Sequence, residues 1–265
     1  MALRVSKWYV DLIAPNGETV IGYAARIRWG RIRLNYSASL RLDEAGRVTE
    51  RMSLRGFKEP HVTEDSLSWR CRPLRLAADW EPLRPRTETE RSGEVLLQTD
   101  RGDVRWQFLS GRARGTWEQA GVRHSGVGYA ERLDITLPPW ELPIDELYWG
   151  RFVSDEGCGE DDAAWIEWRG PHPLRLVWRR GELVTDPTAP SFEDQAAPGE
   201  LGLELRDPVT LRDGPLVSTV FSKIPVLRRV LPTRMLGARE SKWRSRGEMP
   251  SGASGWAIHE VVRWD

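Results

Sequence analysis

The stretch GVGYAERLDITLPPWELPIDELYWGRF, residues 126–152 of a 265-residue chain, decides how the rest is read. It opens as a strand. Val127, Tyr129, Glu131 and Leu133 fall on one face, and Gly128, Ala130, Arg132 and Asp134 on the other. The alternation stops at Pro138-Pro139, where two missing amide donors and two fixed φ angles forbid a continuous ladder. It resumes at Leu147-Tyr148-Trp149 and runs into Arg151-Phe152. A carboxyl, Glu131, shares its face with the ring of Tyr129, and Trp140 and Trp149 follow closely. Carboxyls among rings are hard to keep ionised, so their pKa is expected to rise. Proteins make proton donors for neutral pH in this way.

Working outward, the same period of two recurs. Residues 31–42 alternate Ile32, Leu34, Tyr36, Ala38, Leu40 and Leu42 with Arg31, Arg33, Asn35, Ser37, Ser39 and Arg41. Pro15-Asn16-Gly17 is a turn between strands over 7–13 and 19–29. Asp100-Arg101-Gly102-Asp103 is another, between 95–98 and 104–109. Residues 80–92 hold two prolines and many charges and read as a surface loop. In the second half, hairpin signals surround Gly170-Pro171, residues 187–198 are polar and Pro-rich, and 256–264 closes the chain as a strand. The one helical spacing is in Leu216 to Leu236, confined to short pieces by Pro225 and Pro232. Strand-turn spacing of about ten residues predicts an all-β chain of barrels or sandwiches. A faint repeat pairs Trp117 and residues 124–130 with Trp243 and residues 251–257, at an offset of 126 to 127. It predicts two similar antiparallel β domains, 1–137 and 138–265.

Composition narrows the function. Lys plus Arg equals Asp plus Glu at 39 each, so nothing steers the whole chain toward nucleic acid. No apolar run reaches the roughly 20 residues of a membrane-spanning helix, which leaves only peripheral contact with a bilayer open. The N-terminus lacks the apolar core of a signal peptide. Cys71 and Cys158 are isolated, as expected of free thiols in a reducing, cytoplasmic setting. Fourteen Trp supply large rings for a thin-walled β fold or for an apolar cavity. His61, His124, His172 and His259 show no metal spacing, and no HExxH or CxxC occurs, so no metal is expected. Phosphate-binding glycine loops and the G-x-S-x-G elbow are missing too. The acidic run Glu160-Asp161-Asp162 reads as a solvated turn, with a calcium site as the alternative.

Gly126-x-Gly128-Tyr129-x-Glu131, followed by Trp140, Leu142 and Leu147-Tyr148-Trp149-Gly150-Arg151-Phe152, resembles the carotenoid 1,2-hydratase (hydroxyneurosporene synthase) family. The family's relatives include AttH-like proteins and fungal lipocalin-like Diels–Alderases. The resemblance covers about 27 residues closely and the bipartite all-β layout loosely. It implies two lipocalin-like antiparallel β barrels in one chain and an apolar polyene, terpenoid or polyketide-like substrate. It also implies hydration or cyclisation without metal or organic cofactor. The family's acid matches Glu131, where the family has Asp, and its neighbouring Tyr matches Tyr129. Of the family's upstream His-x-Trp pair, Trp106 is present and Val104 replaces the His. Loss of that His weighs against carotenoid hydration itself, whereas the cyclase relatives share no fixed catalytic set.

Each candidate has a plainer reading. Glu131 is either the acid or one partner of an ion pair with Arg132 or Arg151. Tyr129 either orients it or fills the core. Trp106, Trp117, Trp140 and Trp149 are ligand walls or packing; Arg151 and His124 reach a cavity or serve structure. The two functional classes that follow are a cofactor-free cyclase or hydratase, and a lipocalin-type carrier of an apolar small molecule. A structural barrel pair without an open cavity is the third.

Overall fold

The computed structural model describes residues 3–155, 161–184, 201–216, 229 and 231–264. The chain divides into two compact units, Met1–Pro138 and Pro139–Asp265. Each is built on an antiparallel sheet, so the fold is all-β.

In the first unit the strands are β1 (Leu3–Ile13), β2 (Thr19–Trp29), β3 (Ile32–Leu42), β4 (Val48–Ser53), β5 (His61–Val62), β6 (Leu67–Cys71), β7 (Leu76–Pro82), β8 (Glu94–Thr99), β9 (Gly102–Gln119) and β10 (Val122–Ile135). Their order is β4-β3-β2-β1-β10-β9-β7-β6-β5, with β8 also on β9. The second unit holds β11 (Glu146–Ser154), β12 (Asp162–Arg169), β13 (Leu174–Arg179), β14 (Glu182–Leu183), β15 (Glu204–Pro215), β16 (Arg239–Glu248) and β17 (Ser254–Arg263), in the order β14-β13-β12-β11-β17-β16-β15. In both, the first strand lies between the second and the last.

Tryptophans fill the interior of the first unit. Trp117 meets Trp69 at 6.2 Å and Trp80 at 6.0 Å, both edge to face, with Trp8, Val10, Leu12, Ala24 and Ala130 around them. Edge-to-face contact suits the ring quadrupoles and adds to the burial of large apolar area. Such rings need small neighbours. A Cβ on Gly22 would lie 2.5 Å from Trp69. Ser37 and Ser39 of β3 share a face with that glycine, and both are buried. The period of two in β3 is as expected, yet its serine face, not its leucine face, looks into the tryptophan core. Both faces of the sheet are covered at that height, so Ala38, Leu40 and Leu42 are buried as well.

Two elements differ from the sequence reading. Of residues 80–92, expected as a surface loop, 80–82 complete β7 with Trp80 wholly buried, and Glu88–Ser92 form a one-turn helix. Its start is a reciprocal cap: the Glu90 amide donates to Thr87 Oγ1 at 3.3 Å, and the Thr87 amide donates to Glu90 Oε2 at 2.9 Å. Strand β16 has no counterpart in the expectations, because its sequence RESKWRSRGE sets six charges against Ser, Trp, Ser and Gly and holds a single large apolar side chain. Most of the helical spacing of Leu216 to Leu236 lies outside the described residues, as does Cys158; a short helix is present at Thr233–Gly237.

The two units repeat one another in register. Gly126 and Gly255 occupy the same environment: a Cβ on either would fall 2.0 Å from a carbonyl oxygen, that of Ile13 or of Val153. With those glycines matched, the ladders match Tyr9 with Trp149 and Glu131 with Glu260. Trp117 and Trp243 then sit at different heights, so the sequence match that paired them does not carry over.

Candidate active site

Strand β10 alternates, so Glu131 and Tyr129 project from the face opposite Ala130 and the tryptophan core. The flanking strands place Tyr9 of β1 and Phe108 of β9 directly beside Glu131. The β9–β10 ladder is irregular here. Gly128 pairs with Ala113, Ala130 with Ser110 and Glu131 with Phe108, so β9 carries two extra residues over this span. Bulges re-aim the side chains beside them, and this one brings Trp106 to the carboxyl.

The resulting geometry is compact. Trp106 Nε1 donates to Glu131 Oε2 at 2.6 Å, and Tyr129 Oη donates to the same oxygen at 2.6 Å. Glu131 is buried, 9 % exposed, and Trp106, Phe108, Tyr129 and Tyr9 are buried around it. Phe108 lies 4.3 Å from Trp106 and stands edge-on to Tyr129 at 5.7 Å. Tyr9 extends the wall, 6.1 Å from Tyr129 and 5.6 Å from Tyr23. Two donors on one carboxyl oxygen fix the orientation of the group.

Arg132 is not the partner of Glu131. It lies on the opposite face, 5.0 Å over the Trp8 ring, and its Nε pairs with Asp134 at 2.8 Å. Asp11, fully buried and opposite Tyr129 in the ladder, was missed in the sequence. So were Tyr9, Tyr23 and Phe108. The alternations Tyr9-x-Asp11 and Trp106-x-Phe108 were the available signal.

The other sequence candidates divide between the two units. Trp117 is wholly buried in the tryptophan core. His124 is near the start of β10 with Nδ1 3.5 Å from Glu18 Oε2. Burial pushes its imidazole below the usual value and the Arg41 charge adds to this, while Glu18 opposes. In the second unit Trp140 sits in a 3-10 turn, Pro139–Glu141, and its carbonyl accepts from Arg234 at 3.3 Å. Trp149 and Arg151 are buried on the face of β11 that points away from its own core. Thus Glu131, Tyr129 and Trp106 converge on one point; Trp117 and His124 lie apart from it in the first unit, and Trp140, Trp149 and Arg151 belong to the second.

The second unit has its own buried polar groups. Ser245 Oγ lies 2.8 Å from His259 Nε2, and Trp243 stacks on that imidazole at 5.3 Å. Burial lowers the His259 pKa to about 4. On the other face, Lys242 pairs with Glu240 at 3.1 Å and with Glu260. The position equivalent to Glu131 is therefore neutralised by a lysine rather than held by rings. Among the described residues no cluster of three or more His, Cys, Asp or Glu could hold a metal ion.

No family model matches the chain, and no curated protein sequence does. Solved structures match in fold. CghA is similar over 99 % of this chain and 88 % of its own, with a TM-score of 0.59 at 13 % identity. An AttH candidate from Nitrosomonas europaea is similar over 98 % and 92 %, with a TM-score of 0.51 at 10 % identity. Kievitone hydratase from Nectria haematococca is similar over 97 % and 88 %, with a TM-score of 0.51 at 11 % identity. The likeness runs through both units, and the fold is the lipocalin-like one expected.

Proposed function

We propose that this chain is a cofactor-independent enzyme that cyclises or hydrates a hydrophobic polyene, terpenoid or polyketide-like substrate, with Glu131 as the acid. One observation carries the reading. Trp106 and Tyr129, on different strands, each donate to a single oxygen of a buried carboxyl in an aromatic wall. Glu131 and Tyr129 match the family's acid and its neighbouring Tyr, and Trp106 matches the Trp of its upstream His-x-Trp pair. The fold is also that of kievitone hydratase, and of CghA, which has been solved with Sch210972.

For hydration, the Glu131 carboxyl proton passes to an alkene carbon and leaves a tertiary cation at its neighbour. The faces of Phe108 and Tyr129 stabilise that cation. Water then adds, and its proton returns to the carboxylate, so the acid is regenerated. Protonating an unactivated alkene requires an acid sheltered from water, which buried rings supply. For cyclisation, the same O–H hydrogen-bonds an activating carbonyl, and the wall holds the chain folded.

The test is Glu131→Gln, assayed on acyclic polyenes by mass spectrometry, with cis-parinaric acid as a fluorescent binding probe. Turnover is expected to vanish while probe affinity stays within about twofold, since an uncharged isostere preserves the wall. A product heavier by one water identifies hydration; an isomeric product identifies cyclisation. Wild-type probe binding with no turnover, unchanged in the variant, would instead make the chain a lipocalin-type carrier.

A further inference from the structure

The tip of the β2–β3 hairpin carries charges that nothing balances among the described residues. Residues 22–41 contain five arginines and no Asp or Glu; Arg26 and Arg41 pair with Glu59 and Glu18, and the three nearer the tip do not pair. The ladders set three arginines in one row across adjacent strands: Arg4 faces Arg28, and Arg28 faces Arg33. Like charges directly opposite one another in a sheet repel. Arg31 lies in the turn between the strands, beside Gly30 at φ +57°. Arg4, Arg28, Arg31 and Arg33 are all exposed, and none has an ion pair or hydrogen bond among the described residues. Their neighbour Arg26 does have one, to Glu59 at 2.9 Å, so the absence is local to the tip.

The tip is also amphipathic. On the opposite face Ile27 pairs with Leu34 and Trp29 with Ile32. Ile32, at the end, is 40 % exposed. Strand β4 pairs with β3 only from Ser37 onward, so residues 32–36 project past the β4 edge with only β2 beside them. The result is a finger-like corner of the sheet, flanked by β1 along β2 and open beyond β4, with arginines on one side and an Ile–Trp–Ile–Leu set on the other.

We propose that this finger docks the protein on an anionic membrane surface. Guanidinium groups take phosphate oxygens in a bidentate fork, which would relieve the repulsion within the row. Trp favours the headgroup boundary, and an exposed Ile at the tip gains by entering the acyl region. A nucleic acid would answer the charge but not the apolar side. The inference does not rest on the reaction proposed for Glu131, and its test contains no substrate.

The test is vesicle co-sedimentation of the full chain, with phosphatidylcholine alone and with phosphatidylcholine mixed with phosphatidylglycerol. Binding is expected only to the mixed vesicles and should weaken as salt is raised. The double variant Arg28→Glu, Arg33→Glu should bind at least about tenfold more weakly, because each basic residue near such a surface contributes severalfold to partitioning. Ile32→Ser should also weaken binding while leaving the charge untouched. If the charge-reversed protein does not fold, Arg28→Gln with Arg33→Gln gives the same comparison. Absence of lipid-charge dependence, indifference to the arginine or Ile32 changes, or displacement of vesicles by a duplex oligonucleotide would each overturn the proposal.

Discussion

At the scale of single residues, the two donors to Glu131 can be removed without removing their rings. Trp106→Phe and Tyr129→Phe each leave a buried acceptor with one donor fewer. Each should cost about 1–3 kcal/mol in urea denaturation, and the double variant should deviate from additivity because both donors share one oxygen. An additive result would mean that the two bonds are independent and that the convergence on Oε2 has no energetic weight. His259 offers a prediction in pH. Its pKa is 6.5 ordinarily and about 4 in the fold. Between those values the unfolded chain takes up a proton that the folded chain excludes, so stability falls as pH drops from 6.5 toward 4. The loss approaches about 3 kcal/mol at the acid end. His259→Gln should flatten that part of the stability–pH curve; an unchanged slope would assign the acid sensitivity to carboxylates instead.

At the scale of strands, the glycines that match between the units are required by close approach of backbone to backbone. Gly126→Ala and Gly255→Ala each force a methyl group to 2.0 Å from a carbonyl oxygen on the neighbouring strand. Each should destabilise its own sheet by roughly 2 kcal/mol or more, read as a drop in Tm and increased amide exchange. Normal stability in either variant would show that the paired strands can separate cheaply there. Strands were legible where side chains alternate by polarity, as in residues 31–42, and the break at Pro138-Pro139 was legible from covalent chemistry alone. Strand β16 was not, because its charges are consumed by partners remote in sequence. Lys242 is 1 % exposed between two glutamates, and the Arg244 and Arg246 guanidiniums lie 4.3 and 4.7 Å from the Trp256 ring. The candidate acid and its tyrosine were legible because they are two residues apart on one strand. The donation from Trp106 was not, because it spans 25 residues and depends on a bulge that no local pattern encodes.

At the scale of the whole molecule, the two units share a register but not a chemistry. The matched acids, Glu131 and Glu260, differ in what meets them: Trp106 and Tyr129 donate to the first, and a buried lysine pairs with the second. Glu131→Gln should therefore remove turnover with little change in Tm. Lys242→Met should do the reverse, costing roughly 2 kcal/mol by taking the lysine from Glu260, while Glu240 keeps Arg212 at 3.4 Å and turnover stays nearly intact. Loss of turnover in the lysine variant at a temperature where it is fully folded would place chemistry in the second unit. The strand order has one more consequence. Because β1 lies between β2 and β10, β1 cannot complete its pairing until residue 135 has emerged from the ribosome. The nascent chain must keep an unsatisfied strand edge open through more than a hundred residues of translation, and then repeat the wait with β11 and β17. Such long-range closure favours slow folding and exposure to aggregation during synthesis. The yield of intact protein from a cell should therefore depend on chaperone supply more steeply than the stability of the finished molecule would suggest.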